Sequence, residues 1–121
     1  MKYLALIYSD ESDATANPPE GSPEMEAIMQ DYFAFGAAGG EAGVVLGGDA
    51  LLPTPMATSV QVRDGETITT DGPFAETKEQ LGGYYLLDCE NLDEAIAWAA
   101  RIPHAALGTV EVRPVIEFEQ D

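Results

Sequence analysis

The densest run of chemically capable side chains is Asp71-Gly72-Pro73-Phe74-Ala75-Glu76-Thr77-Lys78-Glu79, which leads into Gln80-Leu81-Gly82-Gly83-Tyr84. Asp71 has the reach to bond the backbone two residues on and make an Asx turn. Gly72 admits backbone conformations that other residues resist, and Pro73 fixes the direction in which the chain leaves. Phe74 in such a loop is expected to fill a pocket rather than to face water. The result is a rigid corner followed at once by carboxylates and an ammonium. A lysine beside carboxylates is held in its charged form, so Lys78 suits an anion, or negative charge that develops during a reaction. Asp71 or Glu79, if half buried, would then be the general base. The competing reading is structural: Lys78 pairs with its neighbours and Asp71 only shapes the turn.

Elsewhere the chemistry is sparse. His104 is the sole histidine and follows Pro103 at a helix end, where it is expected to cap carbonyls. Cys89 is the sole cysteine and reads as a small buried apolar residue on a strand. One cysteine permits no intrachain disulfide, so the fold does not depend on an oxidising compartment. No nucleophile elbow, phosphate-binding Gly-x-x-x-x-Gly-Lys or dinucleotide fingerprint is present. One histidine and one cysteine are poor material for zinc, and no acidic loop has calcium or magnesium spacing. Neither a metal nor a cofactor is expected. Tyr8, Asp49, Tyr84 and Arg113 complete the candidate pocket, although packing and a surface ion pair explain Tyr8, Tyr84 and Arg113 equally well.

The elements that must hold these groups follow from hydrophobic periodicity. Residues 2–8 form a strand with apolar residues on both faces. Residues 9–23 are polar, with Pro18, Pro19, Gly21 and Pro23, and make a loop long enough to serve as a lid. Ser22-Pro23 opens a helix whose stripe of Met25, Ile28, Met29, Tyr32, Phe35 and Gly36 is expected to be core. Gly39, Gly40 and Gly43 are expected to end it. Val44–Leu51 is a strand in which Gly47-Gly48 implies a bulge or a close backbone approach. Thr58–Arg63 and Glu66–Thr70 form a hairpin about Asp64-Gly65, with Val60 and Val62 inward. Gly82–Cys89 is a further strand. Asn91 caps a second helix, with Glu94 in capping-box register. Leu92, Ala95, Ile96, Ala99 and Ile102 are its buried stripe, Trp98 lies at the edge, and Pro103 stops it. Thr109–Phe118 is the last strand, with Pro114 marking a sheet edge or bulge.

That order predicts one domain over residues 1–121: a ferredoxin-like α+β fold, β-α-β-β-α-β, with an added hairpin. Two helices would cover one sheet face and leave the other bare. The middle strands are apolar on both faces, and a bare apolar face of that size is unusual on a soluble monomer. A homodimer with sheets packed face to face is therefore expected.

The composition is globular, with 45% hydrophobic and 22% charged residues among 121. The formal net charge of -17 repels phosphate backbones and anionic lipid surfaces, so neither nucleic acid nor membrane is an expected partner. No apolar run approaches the roughly 18–20 residues of a membrane span. The run Tyr3–Tyr8 stops short of the about 7–15 residues of a signal-peptide core, so a cytoplasmic protein is expected.

Asp71-Gly72-Pro73-Phe74 followed by Glu76-Thr77-Lys78-Glu79 resembles the signature of the DGPF branch of the YCII-related proteins. The opening Tyr3–Tyr8, the helix start Leu92-Asp93-Glu94-Ala95 and Val110-Glu111-Val112-Arg113-Pro114 agree, so the resemblance covers nearly the whole chain. It implies a dimeric α+β barrel on a ferredoxin-like fold, without a settled activity. It also implies a setting beside extracytoplasmic-function sigma factors. YCII-type members with an assigned or proposed activity, a dehydrochlorinase among them, carry a histidine on the first helix that works with an aspartate after the second strand. Here Asp31 falls near the helix position and Asp49 near the strand position, so that dyad is absent. What the resemblance carries over is Asp71, Pro73, Phe74, Lys78, Glu79 and Arg113.

Three functions follow as expectations. The first is a homodimer that binds or senses a small, anionic molecule beside the Asp71–Glu79 loop, under a roof formed by residues 9–23. The second is a cofactor-free lyase or hydrolase in which Asp71 or Glu79 moves a proton while Lys78 and Arg113 hold an anion. The third is an acidic interaction module for the basic region of a transcription regulator. Kinship with small dimeric monooxygenases is a further thought by fold analogy alone.

Overall fold

The first strand decides which side of the sheet carries the core. In a computed structural model, which describes residues 1–118, β1 (Lys2–Ser9) buries Tyr3, Ala5, Ile7 and Ser9 and leaves Leu4, Leu6 and Tyr8 half-exposed on the other face. The chain continues through α1 (Pro23–Glu41), β2 (Val45–Ala50), β3 (Thr58–Arg63), β4 (Glu66–Asp71), β5 (Gln80–Asp88), α2 (Leu92–Ala99) and β6 (Thr109–Pro114). Short 3-10 turns lie at Thr54–Met56 and Pro103–Ala105. β1 is central, antiparallel to β5 on one side and to β6 on the other, in a four-stranded sheet of order β2-β5-β1-β6. With the hairpin set aside, this is the ferredoxin-like arrangement. The core joins Tyr3, Ala5, Ile7 and Leu87 of the sheet to Phe35, Ala95 and Ile102 from the helical side.

α1 begins as expected, with the Ser22 hydroxyl accepting the Met25 amide at 3.2 Å. It does not end at Gly39-Gly40 but continues to Glu41. Gly39 is buried against β2, and a Cβ there would collide with Val45 Cγ2. The helix stops at Gly43, whose φ of 72° only glycine adopts without cost. There Val44 N–H reaches back to Gly39 O at 2.9 Å and Gly43 N–H to Gly40 O at 3.1 Å, a Schellman cap. The apolar stripe is core only in its second half. Phe35 is buried, whereas Met25, Ile28 and Tyr32 are half-exposed and Met29 is exposed. The reason is a hollow beneath them, described below.

α2 is rolled away from the expected stripe. Leu92 and Ile96 are exposed, and the buried residues are Ala95, Ala99 and Ile102. The roll brings Trp98 inward, edge-on to Phe35 with ring centroids 6.2 Å apart. An indole offers far more apolar area than either aliphatic side chain, and the alanines allow the close approach. Asn91 Oδ1 accepts the Glu94 amide at 2.9 Å, but Glu94 reaches the Glu90 amide, at 3.4 Å, instead of closing a reciprocal box.

The hairpin turns at Asp64-Gly65, both with positive φ, in the register Val62↔Thr67. It forms a sheet of its own, and Val60 and Val62 are exposed rather than inward. Among the described residues no second layer faces them. The last strand stops at Pro114, leaving Ile116 and Phe118 exposed instead of alternating into the core. β6 is a sheet edge, where a residue without an amide hydrogen is tolerated. Among the described residues no helix is long and apolar enough to cross a membrane.

Candidate functional site: a cavity beneath α1

The first half of α1 presents Met25, Ile28, Met29 and Tyr32 to the sheet, where Tyr32 stacks on Tyr85 and a space is left beside it. Between them and Ile7, Gly48, Gly83 and Tyr85 lies a cavity of about 440 Å³. Its floor is hollow because Gly48, Gly82 and Gly83 contribute backbone alone. The approach at Gly48 is close, since a Cβ there would lie 2.6 Å from Tyr85 Cδ1, and β2 bulges between Val45 and Gly47. The expectation for Gly47-Gly48 therefore holds. Leu51 and Pro53 close one side, and His104 on the Pro103–Ala105 turn lines the cavity as well.

Ser9, Glu11 and Asn17 supply a roof from the polar segment that follows β1. The segment is pinned at several points. Glu11 accepts the Thr54 amide at 2.9 Å and the Thr54 hydroxyl at 2.5 Å, while its own amide donates to Gln80 Oε1 at 2.9 Å. Asn17 Nδ2 donates to Asp10 O at 2.7 Å. The Ser12 hydroxyl and amide both donate to Asp10 and, with Lys78 nearby, hold its carboxyl below the usual range. Ala16 is buried beneath this segment.

One polar pair sits in the cavity wall, and a second lies on the open face of the sheet. His104 Nε2 lies 2.8 Å from Ala16 O, which can only accept, so Nε2 carries the proton. In the neutral ring Nδ1 is then the acceptor, and the Tyr32 hydroxyl donates to it at 2.5 Å. The two rings are 5.6 Å apart, and Tyr32 also stacks on Tyr85 at 6.5 Å. Burial pushes the Tyr32 hydroxyl well above the ordinary phenol value and raises Tyr85 for the same reason. In the second pair Tyr84 donates to Asp49 Oδ2 at 2.6 Å, across the register that sets these residues opposite each other. That bond to a carboxylate raises the Tyr84 phenol. Among the described residues Glu11 is the carboxylate that faces the cavity, Asp49 borders it from β2 with its side chain turned to Tyr84, and no lysine or arginine lines it.

Of the residues picked out from the sequence, Asp49 and Tyr84 are brought together here. The others lie outside the lining. Asp71 ends β4 opposite Thr58, and the corner after it is held by Gly72 N–H on Ala57 O at 2.7 Å and the Ser59 hydroxyl on Gly72 O at 2.8 Å. Pro73 and Lys78 are exposed. Phe74 is 89% exposed and fills no pocket among the described residues, where the hairpin beside it forms a separate two-stranded sheet. Glu79 is half-buried and accepts the Thr109 hydroxyl at 2.8 Å. Tyr8 and Arg113 sit on the sheet face away from the helices, opposite Thr109 and Leu4.

Sequence reasoning missed Tyr32 and His104. His104 caps no helix; its ring ties the roof to α1. A tyrosine within an aliphatic stripe, and glycines on both of the neighbouring strands β2 and β5, were the signals for a hollow there. Cys89 is buried as expected, and burial raises its thiol.

Fold and site together define a ferredoxin-like α+β domain with a cavity held between its first helix and its sheet. The chain belongs to the YCII-related family, whose domain model matches residues 1–119. It is 44% identical to an uncharacterised protein of Rhizobium meliloti (strain 1021), with 98% of this chain and 95% of that one aligned. Among solved structures it is similar to 5-chloro-2-hydroxyhydroquinone dehydrochlorinase from Burkholderia phenoliruptrix in complex with 2,5-dihydroxybenzoquinone. There the TM-score is 0.50 at 14% identity, over 98% of this chain and 96% of the other, a likeness of fold.

Proposed function

We propose that this protein binds a small, uncharged, largely apolar organic molecule in the cavity beneath α1. The observation that carries the reading is the cavity itself: about 440 Å³, walled by Met25, Ile28, Met29, Leu51 and tyrosine rings, with a few convergent polar groups. Binding sites for small molecules have this size and this mixture. The walls argue against the anionic ligand that Lys78 suggested, since Glu11 repels an anion and no lysine or arginine lines them. The dehydrochlorinase of similar fold is described with 2,5-dihydroxybenzoquinone, a ring that a cavity of this size would accommodate. Calorimetric titration with a panel of neutral aromatic compounds tests the reading. Ile28→Trp, which fills the cavity, should abolish binding while circular dichroism stays native. Unchanged affinity in that variant overturns the assignment.

We further propose that the open sheet face pairs with a second copy of the chain. Leu4, Leu6 and Tyr8 of β1 and Leu81, Tyr84 and Leu86 of β5 share that face and are half-exposed. Covering it removes apolar surface from water without disturbing the helical side.

A further inference from the structure

We propose that Tyr32 and His104 are the proton-transfer pair of the cavity, acting on a ligand that carries an acidic O–H, such as a phenol or an enol. The inference rests on the cavity being a ligand site. Both His104 nitrogens are already engaged, Nε2 as donor to Ala16 O and Nδ1 as acceptor from the Tyr32 hydroxyl. What the pair still offers is the lone pairs on the Tyr32 oxygen, which accept but cannot donate further. A ligand must therefore bring a hydrogen to it. Burial keeps the phenol protonated, so Tyr32 relays rather than starts as a phenolate.

The step balances within three groups. The ligand O–H breaks as its proton passes to the Tyr32 oxygen. The Tyr32 O–H breaks as its proton passes to His104 Nδ1. The products are a ligand oxyanion, an unchanged tyrosine and an imidazolium. The Ala16 carbonyl on Nε2 fixes the receptive tautomer and then stabilises the cation. Glu11, the carboxylate of the roof, favours the cation too. It disfavours the oxyanion, but it is turned to Thr54.

The probe is para-nitrophenol, whose phenolate is yellow. Equilibrium dialysis at a pH below the probe's own pKa gives total binding, and absorbance gives the ionised fraction of what is bound. The wild-type protein should hold the probe largely ionised. Tyr32→Phe and His104→Gln should return the bound probe to the ionised fraction seen in free solution, a several-fold loss whatever their affinities. The glutamine amide can still donate to Ala16 O, which separates loss of the base from loss of the roof. Equal ionised fractions in wild type and both variants overturn the pair, as does a wild-type complex with protonated probe, and both leave the cavity assignment standing. Absence of wild-type binding, or binding that survives Ile28→Trp, overturns the cavity assignment and this inference with it.

Discussion

Gly39 of α1 and Val45 of β2 are in such close contact that the helix lies where it does only because residue 39 has no side chain. Gly39→Ala should therefore destabilise by about 1–3 kcal/mol, as added bulk does in a well-packed interior. Its neighbour is the control. A Cβ at Gly40 meets nothing within 4 Å, so Gly40→Ala should stabilise by roughly 0.5–1 kcal/mol through helix propensity alone. Urea midpoints for the two variants should move in opposite directions. If both rise, α1 does not pack on β2 as described.

Much of this fold was legible because local rules and tertiary packing agreed. Ser22 and Asn91 cap their helices, Asp64-Gly65 turns the hairpin, and the two-sided apolar character of β1 places it at the sheet centre. The site was less legible. Periodicity finds an apolar stripe on α1 but cannot say whether the facing strand fills the space. Here Gly48 and Gly83 leave it empty, and residues read as core became walls. Tyr32 and His104 meet across 72 positions of chain, a distance over which spacing carries no information. The Asp71–Glu79 run drew attention because its groups are close in sequence, yet the cavity lining begins only at Gln80 and continues through Gly82, Gly83 and Tyr85.

Three acids, Cys89 in the core and the half-buried Tyr32 and Tyr85, predict the alkaline limb of stability. Burial raises the Cys89 thiol and the Tyr32 and Tyr85 phenols, so each is easier to ionise in the unfolded chain. A raised folded-state value means full stability below the unfolded value and a loss as pH climbs through the folded one. Denaturant midpoints should stay level up to the ordinary thiol value of 9.0 and fall above it, more steeply past the phenol value of 10.0. Cys89→Ala should remove the first part of the decline and Tyr32→Phe should lessen the second. A thiol reagent should meanwhile label native Cys89 only as fast as the region around it opens. Rapid labelling of the folded protein contradicts the burial.

The roof makes a prediction about local opening. Glu11 ties the segment after β1 to Thr54, and its removal leaves the Thr54 amide without a partner. Glu11→Ala should speed hydrogen exchange at Thr54 and across residues 9–17 while leaving β1, β5 and α2 protected. Ligand association should accelerate with it, since the segment that lines the top of the cavity would open more often. Exchange unchanged in residues 9–17 would mean that the Ala16–His104 bond alone holds the roof down.

Leu6 tests the pairing of sheets. It lies on the open face of the central strand, opposite Tyr84, and is half-exposed in the single chain. A charge placed there meets water in the monomer and apolar side chains in the proposed dimer. In a two-fold assembly the substitution occurs twice, and each lost leucine forfeits about 1.5–3 kcal/mol of burial. Leu6→Glu should then weaken self-association by at least about a hundredfold, with far-ultraviolet circular dichroism unchanged because the helical face is untouched. Sedimentation velocity reads both species directly. A wild-type chain that sediments as a single folded subunit at micromolar concentration removes the second copy from that face. A Leu6→Glu chain that still pairs moves the interface elsewhere, and the exposed Val60, Val62 and Phe74 around the hairpin become the surface to substitute next.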